Sequence, residues 1–212
     1  MTHDYQIILL RHGLSTANQA GIIQGQQDYP LSEQGKNQAD ALGQYWSDHD
    51  VKFDLIISSP LGRARETAER LQGFTGGNIE FDAKWLERQL GEAQGQRYDT
   101  LQALPARNAS AYEPPFPGAE SEWDLYLRAA SAIQSLFENE PGQYLIVSHG
   151  AILSAAMRAV FGQAPSPGRV RPARFSFYNT GHSHLTYEMD SARWSLHYHN
   201  QTRHLREQAG QT

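Results

Sequence analysis

Three mainly apolar segments, each ending just before a cationic or imidazole side chain, constrain the fold of this chain more than any other feature of its sequence. They are residues 5–10, followed by Arg11 and His12; residues 53–58, followed by Arg63; and residues 144–147, followed by His149. Each segment has the length and the aliphatic, β-branched content of a buried strand. Apolar residues at helical spacing come after the strands, so the pattern predicts an α/β protein with these three strands in one sheet.

The side chains at the ends of these segments suit recognition of a phosphoryl group. If the three strands are parallel neighbours, their carboxyl ends meet at one edge of the sheet, where ligands bind in open α/β folds. One guanidinium group can donate two parallel hydrogen bonds to two oxygens of a phosphate dianion. Gly13 also lets the backbone turn or approach a ligand closely. For Arg11 and His12 taken alone, the alternative is an ordinary strand end with two solvated polar residues.

A longer motif surrounds the first of these strand ends. It reads Leu10-Arg11-His12-Gly13-Leu14-Ser15-Thr16-Ala17-Asn18 and continues to Gln24-Gly25, Asp28, Leu31 and Gly35. With this motif, the chain resembles the histidine phosphatase superfamily, also called the phosphoglycerate mutase-like family, from Leu9 to about Asn179. The resemblance implies a three-layer α/β/α sandwich around a mostly parallel central sheet. It also implies a single domain over residues 1–212, which agrees with the length of the chain.

The resemblance assigns roles to individual residues. His12 looks like the nucleophile, and Glu87, in Leu86-Glu87 ahead of Gly91-Glu92, looks like the proton donor. The phosphoryl pocket that it implies consists of Arg11, Arg63 and His149. The further substrate contacts that it implies are Asn18, Gln24, Gly25 and Gly150. We expect no metal ion and no cofactor.

These residue types suit phosphoryl transfer through a covalent intermediate. Neutral imidazole is a competent nucleophile near physiological pH, and phosphohistidine divides one difficult transfer into two easier ones. We expect the second ring nitrogen of His12 to donate to a backbone carbonyl, which keeps the reacting nitrogen unprotonated. Two arginines would supply the charge that Mg²⁺ supplies elsewhere. One carboxyl group would protonate the leaving alkoxide and then activate water; Glu92 and Glu120 compete with Glu87 for this role.

The motif set favours a metal-independent phosphatase that hydrolyses a small phosphomonoester. A phosphoglycerate mutase, which returns the phosphoryl group to a second hydroxyl, is the main alternative. In the resemblance, those mutases are longer chains with an insertion after the Glu87 region. Residues 86–95 of this chain look like the shorter phosphatase pattern. Ala93-Gln94 departs from the aromatic-acid pair common there, which leaves the substrate open. A non-catalytic module that binds a phosphorylated ligand is a third hypothesis, and the complete set of predicted catalytic residues argues against it.

Composition narrows the classes of partner and compartment. The formal net charge is −5 and no basic tract occurs, which argues against a nucleic-acid binder. The chain has 0 cysteines, which excludes disulfides and thiolate catalysis and fits a reducing compartment. No apolar run approaches membrane-spanning length, and no signal-peptide pattern precedes the first strand. We therefore expect a cytoplasmic monomer or homodimer that acts on a small phosphorylated metabolite.

Weaker patterns predict the remaining elements. Strands are expected within residues 81–87 and at residues 175–178, 183–187 and 194–198. The proline-rich residues 105–118 predict a loop that could cover the pocket, and residues 201–212 a polar, frayed tail.

Two sets of polar side chains have open roles. Four histidines occur in the last two predicted strands, and we expect them to be surface-exposed strand residues rather than metal ligands. They are His182, His184, His197 and His199. Five arginines have two possible roles: they could bind a second anionic group of the substrate, or they could all be solvated. They are Arg88, Arg97, Arg107, Arg169 and Arg171. Arg65 is expected to be a solvated partner of Glu66 or Glu69.

Overall fold

A mixed sheet of six strands organises the part of the chain that the computed structural model describes, residues 4–103, 110–166 and 173–205. The strands are β1 (Tyr5–Arg11), β2 (Leu55–Ser58), β3 (Asn78–Phe81), β4 (Gln143–Ser148), β5 (His182–Glu188) and β6 (Arg193–Gln201). The α-helices are α1 (Thr16–Ala20), α2 (Glu33–Asp48), α3 (Gly62–Thr75), α4 (Glu122–Ser135) and α5 (Gly150–Val160). Short 3-10 helices occur at Ala83–Trp85, Gly91–Ala93, Tyr98–Ala103 and Leu136–Glu138.

The strand order is β3-β2-β4-β1-β5-β6. The first four strands of this order run parallel, and β5 and β6 are antiparallel additions at one side. On β4, Val147 pairs with Leu10 of β1 on one side and with Ser58 of β2 on the other. The carboxyl ends of the three predicted strands therefore meet at one edge of the sheet, as the sequence predicts.

Alternation along β1 divides the core between the two faces of the sheet. Ile7 and Leu9 pack with the buried residues of α4 and α5, whereas Ile8 and Leu10 pack with those of α2 and α3. Successive side chains of a strand point to opposite faces, so an apolar strand without polar interruption must be covered on both sides. The predicted three-layer α/β/α arrangement with a mostly parallel sheet is confirmed.

Glycines allow the loop that follows His12 to lie directly on the start of α2. A Cβ atom on Gly13 would collide with the carbonyl oxygen of Gly35, and one on Gly35 would collide with that of Leu14. Ser32, which caps α2, also donates through Oγ to the Leu14 carbonyl at 2.9 Å. Only residues without a side chain permit so close a backbone approach. This contact places the end of β1 against α2.

A Gly35→Ala substitution is expected to lower the free energy of unfolding by about 1–3 kcal/mol, the usual cost of overpacking a buried site. The added methyl group must displace backbone atoms of the loop that carries His12. Gly73→Ala is the matched control, since nothing lies within 4 Å of a Cβ atom at that helical glycine. Urea unfolding of both variants measures the difference, and equal stabilities would contradict the predicted collision.

Two predicted strands are wrong. Residues 81–87 contain only the last residue of β3, because the Asp82 side chain accepts from the Lys84 amide and starts a 3-10 turn that buries Trp85. Residues 175–178 are not in a strand. Their Phe177 carbonyl instead accepts from the Arg11 guanidinium, which connects this segment to the end of β1.

The prediction that the alternating histidines are surface-exposed is wrong for most of them. His182 is buried, His184 and His199 are half-buried, and His197 is exposed. The cause is the position of β5, which pairs with β1 on one side and with β6 on the other. The ring of His182 packs edge-on against Trp46 and Tyr198, with centroid distances of 5.3 and 5.5 Å. Among the described residues, no three histidine, aspartate or glutamate side chains are grouped as a metal site would require.

These buried imidazoles predict that stability falls at mildly acidic pH. Burial, followed by the neighbouring His204, lowers the pKa of His182 to about 3, and burial lowers the pKa of His184 to about 4. In the unfolded chain the same groups bind protons below about pH 6.5. The unfolded state therefore takes up more protons as the pH falls, so the free energy of unfolding is expected to decrease from pH 7 to pH 5. The loss is about 1.4 kcal/mol per pH unit for each imidazole that stays neutral. Urea unfolding at both pH values measures it, and equal values would refute it.

The chain packs against the sheet beyond the end of β6. His204 is buried, and its Nε2 lies 2.9 Å from the Thr180 Oγ1. The polar tail therefore begins later than residue 201, and residues 206–212 lie outside the described part. Within the described ranges, no helix combines the length and apolar character needed to cross a membrane.

Candidate active site

His12 follows β1 directly, and backbone contacts from three directions hold it in place. Its amide donates to the Ser148 carbonyl at 2.9 Å, and its carbonyl accepts from Asn179 Nδ2 at 3.0 Å. Its Nδ1 lies 2.6 Å from the Gly13 carbonyl oxygen. A carbonyl only accepts, so Nδ1 carries the proton and Nε2 of the neutral ring is left unprotonated, as the sequence analysis expected.

Electrostatics keep this ring neutral. Burial is the largest cause that lowers the pKa of His12 well below its usual value, and Arg63 and Arg11 lower it further. A neutral imidazole with its proton on Nδ1 has a free electron pair on Nε2. The geometry and the charge environment therefore both suit a nucleophile.

The first turn of α3 positions Arg63, whose side chain is buried. Its two terminal nitrogens donate to the carbonyls of Gln27 and Gly25 at 2.9 and 2.8 Å. Asp28 joins the same loop to the helix, because its carboxylate accepts from the Gly62 amide at 2.9 Å. The loop that follows His12 thus clamps Arg63 while its Nε stays buried without an acceptor in the described residues.

Arg11 is the last residue of β1. One terminal nitrogen donates to the Phe177 carbonyl at 2.8 Å, and its buried Nε also has no acceptor within the described ranges. Burial lowers the pKa of both Arg11 and Arg63, and nearby Glu87 raises it. Both side chains remain guanidinium cations, because arginine does not lose its proton in proteins.

His149 caps the start of α5, and its ring centroid lies 5.1 Å from that of His12. Its Nε2 is 2.8 Å from the Ser59 Oγ, whereas its buried Nδ1 has no partner in the described chain. Burial, then Arg63, lowers the pKa of His149 well below its usual value. The structure therefore brings His12, Arg11, Arg63 and His149 together.

Glu87 lies across the start of α5. Its Oε1 accepts from the amides of Arg88, Ala151 and Ile152 at 2.8, 3.2 and 3.3 Å. The amino end of a helix attracts negative charge and offers unpaired amide hydrogens. These bonds orient the carboxyl group beside the pocket, close enough for its charge to act on Arg11.

A half-buried arginine fixes the segment that carries Glu87. Arg128 on α4 donates to the carbonyls of Lys84, Leu86 and Glu87 at 2.9, 2.6 and 3.3 Å. Its other bonds go to both carboxylate oxygens of Glu120, at 2.8 and 2.7 Å. Glu120, a competing candidate for the acid, is therefore engaged in an ion pair behind the segment.

The predicted substrate contacts have partly structural roles. Asn18 closes a capping box with Ser15, whose hydroxyl also donates to the Gln24 Oε1 at 2.8 Å. Within the described ranges, the side-chain oxygens of Asn18 and Gln24 accept hydrogen bonds from Ser15, and that of Asn18 also accepts from Asn179. Gly25 adopts a φ of +51° and holds Arg63 through its carbonyl, which is a structural role. Gly150 begins α5, where a Cβ atom would lie 3.8 Å from the Arg11 Nε.

The remaining predictions concern residues outside this cluster. Glu92 is exposed, Arg88 pairs with Glu122 and Arg97 pairs with Asp99. Arg107, Arg169 and Arg171 lie outside the described residues, as does part of the loop at 105–118. Arg65 does not pair with Glu66 or Glu69 as expected; its guanidinium lies 4.6 Å from the centre of the Phe81 ring.

A sequence profile of the histidine phosphatase superfamily (branch 1) matches residues 7–202. The chain belongs to this superfamily. All residues of the cluster fall within the match, and the family resemblance seen in the sequence is confirmed.

Relatives in the histidine phosphatase superfamily include mutase-like and phosphatase proteins. The probable phosphoglycerate mutase GpmB of Citrobacter koseri is 33% identical over 164 residues, which cover 74% of this chain and 75% of that protein. The structure of Bacillus stearothermophilus YhfR has a TM-score of 0.80 and 28% identity, covering 95% of this chain and 99% of that one. The structure of a mycobacterial glucosyl-3-phosphoglycerate phosphatase in complex with VO3 has a TM-score of 0.76 and 29% identity. The match covers 92% of this chain and 98% of that one.

Three residues that form hydrogen bonds with the site residues or with the segment that carries Glu87 were missed by the sequence analysis. They are Ser59, Arg128 and Asn179. Ser59 belongs to the Ser58-Ser59-Pro60 end of the second strand and so had a positional signal. Arg128 and Asn179 had none, since both contact the site through elements distant in sequence.

Proposed function

We propose that this member of the histidine phosphatase superfamily is a metal-independent phosphatase that hydrolyses a small phosphomonoester through a phosphohistidine on His12. The alternative within the same pocket is transfer of the phosphoryl group to a second hydroxyl. Both reactions share the first chemical step, so they differ only in what accepts the phosphoryl group.

One observation carries this proposal. Three buried nitrogens around His12, namely Arg11 Nε, Arg63 Nε and His149 Nδ1, have no hydrogen-bond partner among the described residues. Buried polar groups are rarely left unpaired, and an unpaired one costs about 1–3 kcal/mol. A tetrahedral anion that accepts from several donors at once satisfies them. An uncharged or apolar ligand would not.

The residues then perform two transfers. His12 Nε2 attacks phosphorus, the bond to the leaving oxygen breaks, and Glu87 in its protonated form gives that oxygen a proton. Arg11, Arg63 and His149 stabilise the charge on the three other phosphoryl oxygens. In the second transfer, Glu87 as carboxylate takes a proton from water, the water oxygen attacks phosphorus, and the N–P bond breaks to release inorganic phosphate.

The substrate is proposed to be a small phosphorylated metabolite. Support comes from the names of the relatives, one a glucosyl-3-phosphoglycerate phosphatase and one a probable phosphoglycerate mutase. The deciding experiment compares phosphate release from a panel of phosphomonoesters with interconversion of 2- and 3-phosphoglycerate, both in EDTA. Phosphate release in EDTA supports the proposal. Interconversion without release would assign the mutase reaction, and activity that requires added Mg²⁺ would contradict the metal-free mechanism.

Vanadate is expected to inhibit in competition with substrate, because it adopts the five-coordinate geometry of the transferring phosphorus. An Arg63→Ala substitution should weaken vanadate binding by about 10²-fold, since it removes a buried cationic donor. Arg70→Ala is the matched control: Arg70 also lies on α3, but one of its terminal nitrogens donates to both carboxylate oxygens of Asp40, away from the pocket. Steady-state inhibition measures both. Non-competitive inhibition, or equal weakening by the two substitutions, would place the anion elsewhere.

A further inference from the structure

We propose that Ser59 is a positioning residue that sets the tautomer of His149. Its hydroxyl donates to the His149 Nε2, so the single proton of the neutral ring resides on Nδ1 and is available to a phosphoryl oxygen. The catalytic meaning of this inference rests on the proposed function, but the tautomer is a property of the free protein.

Hydrogen-bond satisfaction decides the direction of this bond. Ser59 and His149 are both fully buried, with the Ser59 Oγ 2.8 Å from Nε2. The Leu61 amide donates to the same Oγ at 3.3 Å, so the hydroxyl oxygen already accepts. Its own proton has one acceptor within reach among the described residues, the His149 Nε2. A buried hydroxyl proton is costly to leave unpaired, and the Ser59 hydroxyl is therefore the donor.

The consequence follows from the chemistry of a neutral imidazole. Because Nε2 accepts, it carries no proton, and the ring proton must be on Nδ1. The Nδ1 atom is buried and has no partner in the described chain. In the opposite tautomer, Nδ1 would present an electron pair to an anion, and the Ser59 proton would have no acceptor. Ser59 therefore converts His149 into a hydrogen-bond donor without giving it a charge.

The sheet keeps this pair in register. Ser59 follows β2, and its amide donates to the Val147 carbonyl of β4 at 3.0 Å. His149 follows β4 at the same edge. Parallel pairing of two adjacent strands thus fixes the spacing between a hydroxyl and an imidazole that are far apart in the chain.

The first test measures the tautomer directly in the wild-type protein. ¹⁵N-detected correlation spectra distinguish protonated from unprotonated ring nitrogens, and a His149→Asn variant assigns the signals. We expect a protonated Nδ1 and an unprotonated Nε2, both in the free protein and with vanadate bound. A protonated Nε2 in the free protein would overturn the inference whatever the activity of the enzyme.

The second test compares Ser59→Ala with Ser58→Ala. Ser58 is equally buried, but its hydroxyl donates to the Ser59 carbonyl at 3.0 Å and does not contact His149. Ser59→Ala should let the proton move towards Nε2 and should weaken vanadate binding and kcat/KM by about 10²-fold, the usual effect of losing one anion donor. Ser58→Ala should leave the tautomer unchanged and both constants near those of the wild type. An unchanged tautomer and vanadate affinity in Ser59→Ala would refute the inference. If that variant does not fold, the wild-type spectrum still decides.

The two proposals fail separately. A protein that releases no phosphate from any ester yet carries its His149 proton on Nδ1 would contradict the proposed function and support the role of Ser59. An active phosphatase with the proton on Nε2 would do the reverse.

Discussion

The His12→Ala protein is expected to fold and to lose turnover by about 10⁴-fold or more, the scale seen when a nucleophile is removed from a covalent mechanism. The reason is that the described pocket offers no other imidazole nitrogen with a free electron pair beside Arg11 and Arg63: in His149, Nε2 accepts from Ser59 and Nδ1 carries the proton. Without Nε2 of His12, the phosphoryl group has no residue to which it can be transferred.

Rapid-quench analysis with a ³²P-labelled ester measures this loss together with the phosphoenzyme. The wild-type protein should form an acid-labile, base-stable phosphoenzyme, and the variant should form none. His184→Ala is the control, because that half-buried histidine contacts Gln6 on β1 without reaching the pocket. Turnover of the His12→Ala protein within about tenfold of wild type, roughly 1.4 kcal/mol of barrier, would reject the covalent mechanism.

A Glu87→Gln substitution is expected to slow phosphoenzyme formation from an alkyl phosphate by about 10²- to 10⁴-fold, the range attributed to a positioned acid. An alkoxide is strongly basic and must be protonated as its bond to phosphorus breaks, whereas a nitrophenolate leaves unaided. The same step with nitrophenyl phosphate should therefore slow much less. Glutamine keeps an oxygen for the Arg88 and Ile152 amides but cannot cycle a proton.

The measurement must resolve the first step, because the same residue is proposed to activate water in the second. Rapid-quench formation of the phosphoenzyme with both esters does so. Glu92→Gln is the matched control, since Glu92 was a competing candidate for the acid and is exposed. Equal slowing with both esters would mean that Glu87 positions the phosphoryl group, and selective slowing in Glu92→Gln would transfer the role of acid to that residue.

The sequence patterns predicted an α/β sheet whose strand ends meet beside His12, and the family resemblance implied the three layers. An apolar strand that stops at Arg11 and His12 places those side chains at an edge of the sheet whatever lies beside it, because strand geometry alternates and parallel ends align. The same holds for Arg63 in the first turn of its helix and for His149 after β4. Their positions depend on local patterns, which a single sequence contains.

Contacts between distant elements were decided only by the tertiary structure. Ser59 and His149 are 90 residues apart, and Arg128 reaches the Leu86 carbonyl across 42. A hydrogen bond over such a separation leaves no periodicity in the sequence, since it depends on which strands become neighbours.

The elements that the sequence analysis placed wrongly have the same physical origin. The alternating pattern predicts that His182 is exposed on a strand, but the pairing of β5 on both sides buries it. The sequence pattern predicts a strand that contains Phe175 and Phe177, but the Phe177 carbonyl accepts from Arg11 instead of from a neighbouring strand. Sequence patterns specify which groups need partners, and the order of strands in the sheet decides which partners they obtain.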